Sequence, residues 1–347
     1  MLYGTVNGCT KKISRIVCGG DEAFGNDSRR LDHAFERGIN AFDTARVYPN
    51  SEAVLGRWLR SRRRDEVFVL SKGAFPRRRF VPRLRRRAVL HDLDQSLREL
   101  GTDYIDAYLF HYDSLQVPAN AVVEIAGALQ ASGKVQVVGY SNFTLERLRQ
   151  IHALAATSIP ALRPSLVSVQ MSLPTLNEPM FMWPWFGSIS ISGKDQRPTR
   201  QWYAEHDLAV FAYSALARGF FSTPLWSSTG AATERGTETP IAPASTSWLR
   251  RRINDLKGRG TQEPPSRETW LRTKFDSAAN RERYRRATSL AASRGVTAAQ
   301  IGLAYVFHKN LNLFAVLGWS SEVKCEENIA ALDIHLSDEE VAWLEVE

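Results

Sequence analysis

Residues 38–43 read GINAFD, and the same pattern returns five more times: EVFVLSK (66–72), YIDAYLFH (104–111), KVQVVGYSN (134–142), SLVSVQ (165–170) and LAVFAY (208–213). Each is an apolar run of strand length that ends on a side chain able to do chemistry. These are Asp43, with Tyr48 just beyond it, then Lys72, His111, Ser141 with Asn142, Gln170 and Tyr213. Near-continuous apolar runs bounded by turn residues mark strands buried on both faces. A functional residue at the C-terminal end of strand after strand is how a (β/α)8 barrel builds an active site, because those ends converge on one face. The pattern predicts a barrel enzyme.

The segments between the strands fit this reading. Helices are expected over 28–37, capped by Asp27 or Ser28 and closed by Gly38, and over 51–60 with Ser51 as N-cap. Val89, Leu90, Leu93, Leu97 and Leu100 recur at helical spacing, and Gly101 stands where a left-handed cap belongs. Further helices are expected over 119–132, 145–156, 281–294, 298–309 and 322–331, with a last one after Ser337. LNLFAVLG (311–318) supplies the final strand. Strand alternating with helix argues for parallel βαβ units, so residues 1–347 read as a single domain of eight strands. Two stretches, 171–200 and about 219–280, carry no clear period and read as long substrate-binding loops. Trp183, Trp185, Phe186 and Trp226 within them are candidate walls of an apolar pocket.

Composition narrows the class. A chain of 347 residues, 44% hydrophobic, holds one barrel of about 250 residues with insertions. No apolar stretch reaches the roughly 18 residues of a membrane span, and the first residues lack a signal-peptide core, so a soluble, cytoplasmic protein is expected. Cys9, Cys18 and Cys325 are scattered and odd in number, which supports neither a disulfide framework nor a zinc site. The formal charge of +8 is local: the run Arg77 to Arg87 holds seven arginines and no acid, and without it the charge is +1. Such a run suits phosphates, but no stacking ladder, helix-turn-helix or zinc signature accompanies it, so nucleic acid is not the expected partner.

Asp43, Tyr48, Lys72 and His111 together make chemical sense. A tyrosine is a weak acid, with an ordinary pKa of about 10. A neighbouring ammonium favours its phenolate, and a carboxylate keeps that ammonium charged and in place. With a histidine aimed at the same point, the group suits polarising and protonating a carbonyl oxygen. No Gly-x-Ser-x-Gly elbow offers a nucleophile, so a hydride from a bound cofactor is the natural complement. Singly, each residue has a plainer role as a turn cap, surface ion pair or core side chain. At successive strand ends the plainer roles do not account for all four.

The segments GINAFDTARVYPNSEAVLGRWL, LSKGAFP, LGTDYIDAYLFHYD, GKVQVVGYSNF and FAYSALARGFFS resemble, in order and spacing, the signatures of the aldo-keto reductase superfamily. The resemblance runs from about residue 13 to 331. It implies a (β/α)8 TIM barrel that binds NADPH or NADH without a Rossmann domain, a small carbonyl or alcohol substrate, and a catalytic tetrad at Asp43, Tyr48, Lys72 and His111. Tyr48 would be the proton donor, Lys72 and Asp43 would tune it, and His111 would orient the carbonyl. By the same resemblance Ser141, Asn142 and Gln170 would hold the nicotinamide carboxamide and Tyr213 would stack on its ring. Ser214, Ala215, Leu216, Ala217, Arg218 and Gly219 would wrap the pyrophosphate. Gly318, Trp319, Ser320, Lys324, Glu327 and Asn328 would surround the adenosine.

Three departures from that pattern stand out. No lysine or arginine adjoins Trp319 or Ser320, where many members meet the 2′-phosphate, so NADPH is expected over NADH on weaker grounds than the tetrad. Tyr112 follows the histidine, and VQMSLP replaces the commoner sequence after the glutamine; both bear on substrate contacts. The competing expectation is a cofactor-binding regulatory subunit with little turnover, resembling channel-associated β subunits.

Overall fold

Eight parallel strands close on themselves in a computed structural model that describes residues 1–20, 24, 28–76, 83–183, 186–226 and 266–346. A two-residue hairpin, β1 (Tyr3–Gly4) with β2 (Ile13–Ser14), precedes the barrel. The barrel strands are β3 (Ile16–Gly19), β4 (Ala41–Asp43), β5 (Phe68–Gly73), β6 (Ile105–Phe110), β7 (Val135–Ser141), β8 (Leu166–Gln170), β11 (Ala209–Tyr213) and β12 (Asn312–Leu317). They pair in sequence order, and β12 closes on β3 through Ala315 opposite Ile16. A second hairpin, β9 (Met182–Trp183) with β10 (Phe186–Gly187), lies between β8 and β11.

Helices return the chain from one strand to the next. They are α1 (Arg29–Glu36), α2 (Ser51–Leu59), α3 (Arg86–Leu100), α4 (Ala119–Ala131), α5 (Leu145–Ser158) and α6 (Arg197–Glu205). After β11 come α7 (Arg267–Phe275), α8 (Ala278–Arg294) and α9 (Ala298–His308), and after β12 come α10 (Glu322–Ala330) and α11 (Asp338–Glu345). Among the described residues no helix is long and apolar enough to cross a membrane.

Side-chain alternation along the strands makes two cores. One side fills the barrel: Val17, Ala41, Phe68, Leu70, Leu109, Phe211 and Phe314 form a buried cluster, capped by Val6 and Ile13 of the N-terminal hairpin. Phe211 stacks on Phe314 at 4.8 Å and on Phe68 at 5.9 Å, so aromatic rings occupy what would otherwise be a channel. The other side, with Val69, Tyr108, Val167 and Val210, packs against the apolar faces of the helices. Continuous apolar runs are therefore required, because each strand is covered on both faces.

Several expectations need correction. Ser51 is the first residue of α2 rather than its cap; Asn50 holds the cap position in a left-handed conformation, φ 56°. The Ser51 hydroxyl instead donates to the Gly20 carbonyl at 2.5 Å and meets Thr44 Oγ1 at 2.7 Å. Ser28 caps α1 by position only, without a side-chain hydrogen bond, and Asp27 lies outside the described residues. The stretch read as loop over 171–200 contains β9, β10 and the start of α6, and α7 with the first turn of α8 fall inside the second. The apolar stripe of α6 reduces to Trp202 and Tyr203 in nine residues, too short a signal to stand out. Gly101 is left-handed at the end of α3, φ 62°, as expected.

Candidate active site

The ends of β4, β5 and β6 bring Asp43, Lys72 and His111 to one point. Lys72 Nζ lies 2.7 and 2.6 Å from the two Asp43 carboxylate oxygens and donates to the Thr44 carbonyl at 3.0 Å. Both partners are buried. Burial pushes the Asp43 carboxyl above its ordinary range, and the Lys72 ammonium pulls it back. The same Nζ is 5.3 Å from the centre of the Tyr48 ring, whose edge meets His111 at 5.7 Å. Tyr48 is half-buried, so its ring reaches the barrel mouth while the ion pair lies beneath it.

His111 is buried, and burial together with the Lys72 charge pushes it well below its ordinary pKa. It is neutral near neutral pH, with one ring nitrogen a donor and the other an acceptor. Its Nδ1 has no hydrogen-bond partner among the described residues. Phe75 meets the imidazole edge-on at 5.2 Å, and Tyr112 stacks beside it at the same distance. Phe75 and Tyr112, not Trp226, are the aromatic walls next to the histidine. Trp226 stacks on Phe220 at 4.9 Å and donates its indole N–H to the Phe220 carbonyl, so it seals a loop onto the barrel. Trp185 lies outside the described residues, and Trp183 and Phe186 belong to the β9–β10 hairpin.

The loop that carries Tyr48 is tied at both ends. Thr44 and Arg46 donate their backbone N–H groups to the carbonyls of Leu70 and Lys72 at 2.8 and 2.9 Å. The buried Thr44 and Ser51 hydroxyls close the loop at its far end against Gly20. A short loop fixed to the strand that bears Lys72 holds the tyrosine at a defined distance from the ammonium.

β7, β8 and β11 contribute amides and a phenol. Asn142, in a left-handed conformation that asparagine tolerates (φ 59°), donates from Nδ2 to Ser141 Oγ at 3.0 Å and to the His111 carbonyl at 3.3 Å. Its Oδ1 accepts from the Tyr213 hydroxyl at 2.7 Å and from Ile189 N–H at 3.0 Å. Burial keeps the Tyr213 phenol well above its ordinary pKa, hence a donor. Gln170 is fully buried: Nε2 donates to Ser172 at 2.9 Å and Oε1 accepts from Ser190 and Ser192. Residues 188–192, SISIS, thus form a short strand-like cover tied to both amides, including a parallel bridge between Gln170 and Ser190. Nothing in the periodicity of 171–200 singled them out; the alternating serines were the available signal.

The turn after β11 has an unusual backbone. Ser214, Ala217 and Arg218 adopt φ of 54°, 48° and 55°, followed by Gly219 at 88°. Each non-glycine residue there costs about 1–2 kcal/mol, which the tightly packed turn must offset. Leu216 packs against the core, and Ala215 and Ala217 are buried. The Arg218 guanidinium stands 5.6 Å over the Trp270 ring of α7. Arg267, at the start of α7, donates to the Arg218 carbonyl at 3.3 Å. A Cβ at Gly219 would meet the movable end of that arginine, Nη2 at 1.9 Å, and it is the φ of 88° that favours glycine there. Arg267 lay within the stretch read as loop, and only the fold brings it here.

Around the other end of the mouth, Gly318 and Ser320 are exposed while Trp319 and Asn328 are buried. Ser321 caps α10 by accepting from Lys324 N–H. Lys324 pairs with Glu327 at 2.8 Å, and the Glu327 carbonyl accepts from Gln300 at 3.1 Å. The whole set therefore lines one mouth in chain order: an acid–base cluster, two fixed amides with a phenol, a cationic left-handed turn, and a capped helix. Amide, phenol and guanidinium are the donor types that an aromatic carboxamide joined to a diphosphate requires.

A closed parallel barrel with this ion pair, tyrosine and histidine at its C-terminal ends defines a barrel oxidoreductase site. The aldo/keto reductase family model matches residues 24–345, and the chain belongs to that family. Aldo-keto reductase YhdN of Bacillus subtilis is 31% identical over 127 residues, 35% of this chain and 38% of that protein. Norsolorinic acid reductase of Emericella nidulans is 25% identical, aligned across 91% of this chain and 70% of its own. A putative voltage-gated potassium channel β subunit of Schizosaccharomyces pombe is 23% identical across 93% of this chain and 85% of its own. Among solved structures, glycerol dehydrogenase of Gluconobacter oxydans superposes with a TM-score of 0.67 at 19% identity, covering 99% of this chain and 94% of that one. A thermostable aldo-keto reductase crystallised with the inhibitor epalrestat superposes with a TM-score of 0.64 at 20% identity, covering 99% of each chain.

Proposed function

We propose that the protein reduces an aldehyde or ketone to an alcohol, or runs the reverse reaction, with Tyr48 exchanging the proton and residues 1–347 acting as one domain. The observation that carries this is the Lys72 ammonium, held by both Asp43 oxygens and set beside the Tyr48 ring. A cation there favours the phenolate and so makes the phenol a better acid. Neutral His111 donates a hydrogen bond to the carbonyl oxygen without competing to protonate it. NADPH, or NADH, supplies the hydride when bound.

Ser141, Asn142 and Gln170 position the carboxamide end; the bonds of Asn142 to Ser141 and Tyr213 and of Gln170 to Ser172 keep that surface rigid. Tyr213 offers its ring face. Ser214 to Gly219, with Arg218 and the additional Arg267, take the diphosphate. Gly318, Trp319, Ser320, Lys324, Glu327 and Asn328 take the adenosine. Phe75 and Tyr112 beside His111 favour an apolar or aromatic carbonyl compound over a sugar.

Steady-state oxidation of NADPH with a panel of aromatic and aliphatic aldehydes tests the reading. Tyr48→Phe lowers kcat by roughly 10²–10⁴-fold, the range for losing a general acid, while cofactor binding measured by fluorescence stays within twofold. Wild-type protein that binds the cofactor yet turns over no carbonyl would instead point to a regulatory subunit.

A further inference from the structure

Asp92 interrupts the apolar stripe of α3. It shares the buried face of that helix with Val89, Leu93 and Ser96, where a carboxylate is costly unless its oxygens are met. Its Oδ2 accepts the Ala74 N–H at 3.0 Å, and its Oδ1 pairs with Arg83, one of the seven arginines of the run 77–87. Ala74 stands just past β5, and its φ of 61° is left-handed, a conformation disfavoured for any residue with a Cβ. The chain comes this close to α3 because residue 73 is glycine: a Cβ there would meet the buried Tyr108 hydroxyl at 2.1 Å and Asp92 Cβ at 3.2 Å. The Gly73 carbonyl accepts the His111 N–H at 3.0 Å. The backbone leaving Lys72 is thus fixed to β6 on one side and to α3 on the other. Next comes Phe75, whose ring meets the His111 imidazole edge-on at 5.2 Å and Tyr112 at 5.7 Å.

We infer that Asp92 is a positioning residue for substrate choice: by holding Ala74 in its left-handed turn it keeps the Phe75 ring at the edge of His111, where a flat apolar group on the carbonyl carbon packs. The inference rests on the carbonyl-reduction reading above and concerns what lies beside the carbonyl, not the proton or the hydride. A carboxylate suits two donors that approach from different places, since both of its oxygens accept. Asparagine has one acceptor oxygen and would turn its amide N–H groups toward the other donor, so it serves Ala74 or Arg83 but not both. Without an acceptor, the Ala74 N–H is left unpaired in a strained turn. The turn then relaxes toward an ordinary conformation and carries Phe75 off the imidazole.

Two measurements test it. The first needs no substrate: the ring C–H signals of His111 in a proton–carbon NMR spectrum of the full chain, assigned through His111→Gln, sense the ring current of Phe75. Phe75→Ala shifts them, and Asp92→Ala shifts them in the same direction. The second is kinetic. With NADPH, Asp92→Ala lowers the kcat/KM ratio of benzaldehyde over propanal about threefold to tenfold, the size of a lost aromatic contact, mainly through the KM of benzaldehyde. Combined with Phe75→Ala it lowers the ratio no further, because both changes remove the same wall. Asp92→Asn gives a smaller change in the same direction, also absent beside Phe75→Ala, and carries the test if the alanine variant does not fold. The inference is overturned if the His111 signals stay in place in the Asp92 variants, if the losses from Asp92 and Phe75 multiply, or if both aldehydes suffer alike, as a merely structural role would give. Wild-type protein that reduces neither aldehyde, while the His111 signals follow Asp92, overturns the carbonyl reading and substrate choice with it, but not the positioning of Phe75.

Discussion

Lys72 serves two partners at once: it neutralises the buried Asp43 carboxylate and presents positive charge to the Tyr48 ring. Isolated, either charge would be costly at such depth; paired and hydrogen-bonded, they form a fixed electrostatic fixture. His111 is on the other side of that balance, since burial and the same ammonium keep it neutral. A histidine buried neutral binds its proton less readily folded than unfolded. Below the ordinary value of about 6.5 the unfolded chain takes up a proton that the native state refuses, so stability falls as pH drops through that range. His111→Gln is therefore expected to lose less melting temperature than the wild type between about pH 7.5 and pH 5.5. Parallel losses in the two proteins would mean that His111 is not the group held neutral. Asp43, Lys72 and His111 were legible at this scale because each directly ends a local apolar run. Phe75, which touches the imidazole, was not, because nothing in its own neighbourhood marks contact with residue 111.

Elements meet at closer range than their sequences announce. Gly56 sits in the middle of α2, where alanine would raise helix propensity by about 1 kcal/mol. A Cβ there, however, would lie 2.3 Å from the Glu99 carbonyl oxygen and 2.8 Å from the Leu100 backbone, at the end of α3. Backbone cannot rotate away as a side chain can. Gly56→Ala is expected to destabilise by about 1–3 kcal/mol in urea unfolding, against the propensity scale. A neutral or stabilising result would show that the two helices separate freely. The amides at the ends of β7 and β8 tell the same story: Asn142 and Gln170 were found from their strands, but the Ile189 N–H that meets Asn142 and the Ser190 and Ser192 hydroxyls that meet Gln170 arrive from about twenty or more residues downstream.

At the scale of the whole molecule, Glu345 at the end of α11 gathers several of the contacts that fasten this helix to the outer shell, beside the pairs Arg294–Glu340 and His308–Asp338. Glu345 accepts from Lys309 Nζ at 2.6 Å and from the Tyr305 hydroxyl at 2.8 Å, and its carbonyl accepts from Arg283 at 2.8 Å. Removing the carboxylate leaves a part-buried ammonium and phenol unsatisfied. Glu345→Ala is expected to cost about 1–3 kcal/mol and lower the melting temperature by several degrees, with cofactor affinity unchanged. Glu345→Gln, which keeps an acceptor for Tyr305, is expected to cost less. A drop in cofactor affinity without a drop in melting temperature would contradict a purely fastening role.

The amino-acid sequence by itself determined the architecture and the members of the Asp43, Lys72 and His111 cluster, because buried parallel strands and the residues that end them are local patterns of a few positions. The tertiary structure alone decided what surrounds that cluster. Arg30 reaches Trp319, Arg267 covers Gly219 and Ser190 binds Gln170 only because barrel closure brings β12 beside β3 and folds the long connections over the mouth. Contacts between residues tens to hundreds of positions apart leave no periodic trace in the chain.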